Sequence, residues 1–212
     1  MVKPQNLLES PWTLWFELRP DLDESKSMIF VDRLKEVCTM DSVEKFHQYY
    51  TYMKTPDELP VHATVYIFKD GVRPMWESFP QGGCWSFRIK RGDKRLRPAW
   101  EELMMSCLGE GLGSENVTGI VLGSRAKEFV LSVWLNVGQT SDRRFEIVEK
   151  LRGVLRLEEG DILQYKDFHS SIQDDSGRTN AVTYRVRASK TSRVSRRYIL
   201  PDPVAGSFTF NF

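Results

Sequence analysis

Two apolar runs near the middle of the chain, 117–123 and 129–136, are separated only by Ser124-Arg125-Ala126-Lys127-Glu128. So short a link cannot cross over a sheet, so the two runs read as an antiparallel hairpin. Further runs rich in β-formers lie at 12–18, 64–68, 84–90, 161–166 and 181–187. Three segments repeat at helical spacing instead. Asp41 with Glu44 forms a capping-box-like start to the first, over about 41–54, followed by Val43, Phe46, Tyr50 and Met53. Pro98 opens the second, with Trp100, Leu103, Met104 and Cys107 on one face until Gly109. A third spans about 141–156 from Ser141, through Phe145, Val148, Leu151 and Leu155. Strands fall before, between and after the helices with no regular βαβ alternation. That order predicts an α+β fold, a mostly antiparallel sheet with helices on one face.

At 212 residues the chain is long enough for one domain with a sizeable core. No apolar run approaches the ~18 residues of a membrane span, and neither a span nor a secretion signal is expected. The three cysteines are odd in number, far apart and without a CxxC. They predict reduced thiols in a cytosolic or nuclear setting, with no disulfide frame and no metal site. Net charge is +1, but it is unevenly placed. Residues 1–177 carry 23 Lys/Arg against 28 Asp/Glu, whereas the last 35 carry seven against one. A basic tail on a mildly acidic body suits an anionic partner such as RNA, and a solvated tail reads the same residues equally well.

Arg73-Pro74-Met75-Trp76-Glu77, followed by Gly82-Gly83-Cys84-Trp85, sets an aromatic ring beside a carboxylate on a Pro/Gly-punctuated loop. Stacking binds any base, and the carboxylate selects one offering paired N–H donors, as guanine does. Arg125 and Lys127 in the hairpin link are phosphate-binding candidates, since phosphates need fixed cationic donors. Along 129–136, Phe129, Leu131, Val133 and Leu135 share one parity and read as core. Trp134, on the other parity, is then left to line a ligand surface. No Walker loop, GxGxxG, HExxH or GxSxG occurs. Asp167, His169, Ser170, Ser171 and Asp174 crowd one loop, in and just before the polar stretch 169–180, and read as a surface loop, not a catalytic triad. His47 and His62 have no metal-spaced companion, and no cofactor is expected.

Taken together, the motifs resemble the eukaryotic translation initiation factor 4E family, whose members bind the 7-methylguanosine cap of mRNA. The resemblance runs through Ser10-Pro11-Trp12-Thr13-Leu14-Trp15-Phe16, Asp41-Ser42-Val43-Glu44, Ile67-Phe68-Lys69-Asp70-Gly71 and Pro74-Met75-Trp76-Glu77. It continues through Gly82-Gly83-Cys84-Trp85, Trp100-Glu101-Glu102-Leu103, Cys107-Leu108-Gly109-Glu110 and Arg125-Ala126-Lys127 with Trp134. It implies a curved antiparallel sheet of about eight strands, three long helices on the convex back, and a ligand slot on the concave side. The cap-binding domain would span residues 1–188, with 189–212 a mobile basic tail.

By the same resemblance Trp76 stacks on the base, Glu77 accepts its N–H donors, Trp134 touches the N7-methyl, and Arg125 and Lys127 hold the triphosphate. The second stacking position, a tryptophan in the family, is Phe30, counted back from Asp41-Ser42-Val43-Glu44 and matching Leu34; Met28 is the alternative. A phosphate-side lysine of the family is Val130 here, and an aspartate that orients the arginine is Thr64. On the convex face, Val43, Glu102 and Leu103 resemble the surface that takes the 4G scaffold and repressor proteins, while His47 replaces the family's anchoring tryptophan. The expected role is cap binding in translation initiation or its control, in the cytoplasm or nucleus, without catalysis. The alternative is an adaptor that keeps the fold for protein partners and binds the cap weakly.

Overall fold

A computed structural model of the chain describes residues 6–19, 30–113, 115–137, 143–176 and 181–186. Eight strands form one sheet: β1 (Leu7–Leu18), β2 (Lys35–Ser42), β3 (Ala63–Lys69), β4 (Gly83–Lys90), β5 (Val117–Ser124), β6 (Glu128–Leu135), β7 (Ile162–Asp167) and β8 (Val182–Arg185). Their order is β2-β1-β3-β5-β6-β4-β7-β8, and every neighbouring pair is antiparallel. The expected α+β class and curved eight-stranded sheet are present. So is the central hairpin, β5 paired with β6, with Ser124 and Glu128 drawn into the strands so that only Arg125, Ala126 and Lys127 link them.

The two-residue pleat splits the side chains between two clusters. Phe129, Leu131, Val133 and Leu135 of β6 enter the main core, which also takes Trp85, Phe87 and Ile89 of β4. Three helices close that core from outside: α2 (Val43–Tyr50), α3 (Leu96–Leu108) and α4 (Arg143–Val154). They contribute Phe46, then Ala99, Trp100 and Leu103, then Ile147, Val148 and Leu151. The opposite parity builds a smaller aromatic cluster of Tyr66, Phe68, Cys84, Val121, Trp134 and Phe168 on the concave face.

Three local expectations change. β2 was not read from its charged sequence; it is an edge strand paired only with β1, so one side of its backbone needs no sheet partner. Because β2 runs on to Ser42, the helix cap is Ser42 and not Asp41: Ser42 Oγ accepts from Lys45 N at 3.3 Å. Asp41 stays in the strand and binds Lys45 Nζ at 2.6 Å. The helix is therefore 43–50, shorter than 41–54. Third, the polar stretch expected as a loop is largely helical, α5 (Phe168–Asp174), with Asp167 capping Ser170 N at 2.8 Å. The Ser141 start and the 189–212 tail lie outside the described residues.

Gly119 shows how tightly β3 and β5 pack on the concave face. A Cβ there would stand 2.5 Å from the ring of Phe68, which is fully buried on the neighbouring strand. Gly119→Ala is expected to cost about 1–3 kcal/mol by overpacking. Gly153 in α4 has nothing within 4 Å of an added Cβ, so Gly153→Ala should stabilise the helix by about 0.5–1 kcal/mol. Urea unfolding of both variants checks the pair; equal shifts would remove Phe68 as the cause.

Candidate functional site

The concave aromatic cluster forms the floor of the candidate site. Phe68 meets Trp134 edge-on at 5.1 Å, and Tyr66 lies next to Phe68 at 6.4 Å. Around this floor stand partly buried rings from separate segments, Trp15, Phe30, Trp76 and Phe79. Trp76 and Glu77 sit on a 3-10 turn, Trp76–Ser78, between β3 and β4. Backbone bonds pin that turn: Ser78 N donates to Met75 O at 3.1 Å, Phe79 N to Trp76 O at 2.9 Å and Gly82 N to Phe79 O at 2.7 Å. Trp76 is thus half-buried against the cluster, while the Glu77 carboxylate faces solvent.

Phe30 opens α1 (Phe30–Arg33), and its ring meets Tyr66 edge-on at 6.4 Å. Sequence reading missed what holds that short helix down. Glu17, only 3% exposed, accepts from Arg33 Nε at 3.0 Å and from the Tyr66 hydroxyl at 2.8 Å. Burial first, and then the Glu17 charge, push the Tyr66 phenol far above its ordinary range, so it stays a neutral donor. The only sequence signal was a carboxylate on the same strand parity as Trp15.

At the other side of Tyr66, Arg125 Nη1 reaches Thr64 Oγ1 at 3.4 Å and Ser124 O at 3.1 Å. Gly123 makes room, since a Cβ there would come within 2.8 Å of the guanidinium. Arg91 locks the hairpin turn, with Nε on Arg125 O at 2.8 Å and Nη2 on Ser124 Oγ at 2.6 Å. Its guanidinium stacks 4.4 Å over Phe129. Lys127 projects into solvent from the same turn. Phe30, Trp76, Arg125 and Thr64 therefore come from four segments to one face, with Lys127 at its rim.

Trp134 shares that face but is covered. It is 6% exposed, with Phe168 of α5 at 4.4 Å and Phe79 at 6.4 Å. The expectation that it lies open to ligand is corrected: an unread helix supplies the lid. Beside it Cys84 is buried, and burial pushes its thiol up to about 11, so it is neutral at physiological pH. The polar residues of 167–174 hold α5 in place. Ser170 Oγ and Ser171 Oγ donate to Asp167, and Asp174 pairs with the buried Lys166 at 2.8 Å.

On the convex face, Val43 and His47 lie one turn apart and exposed on α2. Tyr50 links α2 to α3 by donating to Glu101 at 2.7 Å. Glu102 is partly exposed and pairs with Arg156, whereas Leu103 is fully buried. Leu103 is therefore a core residue, and a partner on this face would meet Val43, His47 and Glu102.

With that geometry in place, the chain can be set against known proteins. The model of the family described as eukaryotic initiation factor 4E matches residues 7–183. Eukaryotic translation initiation factor 4E1 of Drosophila melanogaster is 31% identical over 173 residues, covering 78% of this chain and 65% of its own length. The structure of Ascaris suum eIF4E-3 with an m7G cap is similar with a TM-score of 0.70 and 28% identity, over 77% of this chain and 92% of that one. The complex of Caenorhabditis elegans eIF4E-3 with the 4E-binding protein Mextli and a cap analog has a TM-score of 0.72 and 27% identity. There the likeness covers 85% of this chain and all of the other.

The buried Glu17–Arg33 pair yields a stability prediction. Glu17→Leu leaves Arg33 and the Tyr66 hydroxyl without their shared acceptor and is expected to cost about 3 kcal/mol. Chemical denaturation measures it. A cost below about 1 kcal/mol would mean that water satisfies Arg33 at this site.

Proposed function

We propose, for a chain that belongs to the eukaryotic initiation factor 4E family, that it binds the 7-methylguanosine 5′ cap of mRNA in translation initiation or its regulation. The observation that carries this reading is the convergence of Trp76, Phe30 and Arg125 on one concave face, with Glu77 next to Trp76 on the same turn, in a fold whose solved relatives hold cap ligands. The base lies between Trp76 and Phe30. N7 methylation makes it cationic, and aromatic faces then add a cation–π attraction of about 0.5–2 kcal/mol. Glu77 accepts the guanine N1–H and N2–H in charge-assisted bonds. Arg125 and Lys127 take the triphosphate. Trp134 completes the methyl side once Phe79 or Phe168 yields. No bond of the cap is made or broken.

The convex face, with Val43, His47 and Glu102, is the docking surface for a binding protein; a scaffold of the 4G type fits this position, with His47 changing the anchor. Such work places the protein in the cytoplasm. Similarity to a relative solved with both a 4E-binding protein and a cap analog supports two-faced binding. The adaptor reading rests on Phe30, Val130 and His47, and retention on cap resin separates it from cap binding.

In fluorescence titration, 7-methylguanosine triphosphate is expected to quench tryptophan emission at lower concentration than unmethylated GTP. Equal behaviour of the two nucleotides, or binding of neither, would end the proposal. Glu77→Ala should lose about 1–3 kcal/mol of cap affinity by leaving guanine donors unpaired. Phe30→Trp should tighten binding by about 0.5–1 kcal/mol through its larger ring; an unchanged affinity would take Phe30 out of the stack.

A further inference from the structure

The concave face carries cations beyond those that the base and triphosphate use. The strand registers place Glu17, Thr64, Gly123, Val130 and Arg88 in one line across β1, β3, β5, β6 and β4. Phe87 faces Leu163, so the next rung sets Arg88 against Ile162, and Ile162 faces Arg185 on β8. Side chains in register share a face. Arg125 lies over Gly123 on this line, and Lys90 faces Glu128 one rung pair further along the same face. With strands about 4.8 Å apart, Arg88 stands about 10 Å and Arg185 about 19 Å from the Gly123 position.

Among the described residues the line runs on toward β8. Toward β1 it ends at Glu17, a buried carboxylate paired with Arg33 of α1 and with the Tyr66 hydroxyl. Along the strands, α5 and Phe79 cover Trp134. Toward β8 the described surface is mixed: the Ser86 and Ser132 hydroxyls meet at 3.0 Å, then come Gln164 and the exposed Ile162, Thr183 and Arg185. Arg88 is held upright there, its Nε on Gln164 Oε1 at 3.2 Å and Nη1 on Glu128. A guanidinium has more donors than those two bonds use.

We infer that this row is the track for the single-stranded RNA leaving the cap triphosphate, with its phosphates meeting Arg88 and then Arg185. The inference rests on the cap-binding reading above. Among the described residues, the track has no uncovered aromatic ring on which a base could stack. It therefore grips the backbone and is indifferent to sequence.

The test compares 7-methylguanosine triphosphate with a short capped RNA oligonucleotide, across a salt series. Wild type should bind the oligonucleotide more tightly than the nucleotide. Arg88→Ala should leave nucleotide affinity unchanged, weaken the oligonucleotide about threefold to fivefold, and lower the log–log salt slope by about 0.7. Arg88→Lys should restore most of the loss. Arg185→Glu, at an exposed edge position, should act likewise and guards against misfolding of the first variant. An oligonucleotide advantage that survives both substitutions overturns the track, as does an equal loss for both ligands, which would put Arg88 at the triphosphate. If wild type binds neither capped ligand, it is the cap-binding reading that fails.

Discussion

Everything functional in this protein depends on the two-residue pleat of a sheet whose two faces are covered unequally. On β6 the odd positions, Phe129 through Leu135, meet three helices and make a dry core. The even positions, Val130, Ser132 and Trp134, meet no long helix and are left to form a shallower surface. Apolar burial at about 25 cal/mol per Å² is the main force that holds the first face together. The second face is therefore free to carry rings, hydroxyls and charges. A slip of one residue in any strand would exchange the two sets, so core and site specify each other.

Charge on the concave face is arranged to keep a small aromatic slot in shape. Thr64, the position at which the resembled family carries a carboxylate, gives Arg125 only a neutral acceptor at 3.4 Å. The carboxylate stands one strand over, at Glu17, directly across from Thr64 in the ladder. There it neutralises Arg33 and anchors the helix carrying Phe30. A pair buried this deeply adds little net stability, but removing one half is costly, so it fixes position more than it strengthens the fold.

Much of this was legible because it is local. The five-residue hairpin link, the alternation along β6 and the Pro98-to-Gly109 helix each follow from spacing alone. Trp76 beside Glu77 and Arg125 near Lys127 were readable as short motifs. β2 was not, because an edge strand with one partner tolerates the charged sequence that disguised it. Leu103 was placed on a partner surface, although α3 turns it fully into the core. α5 was hidden by polar residues whose role is capping and ion pairing, which look in sequence like a loop.

The sequence by itself determined the fold class, the parity of the central strands and the chemistry available at the slot, since each rests on neighbours within a few residues. The tertiary structure alone decided that Phe168 and Phe79 cover Trp134, that Glu17 fixes Phe30's helix, and that Arg88 lines up with Arg125 and Arg185. Those relations join residues from distant segments, and only strand order and register bring them together.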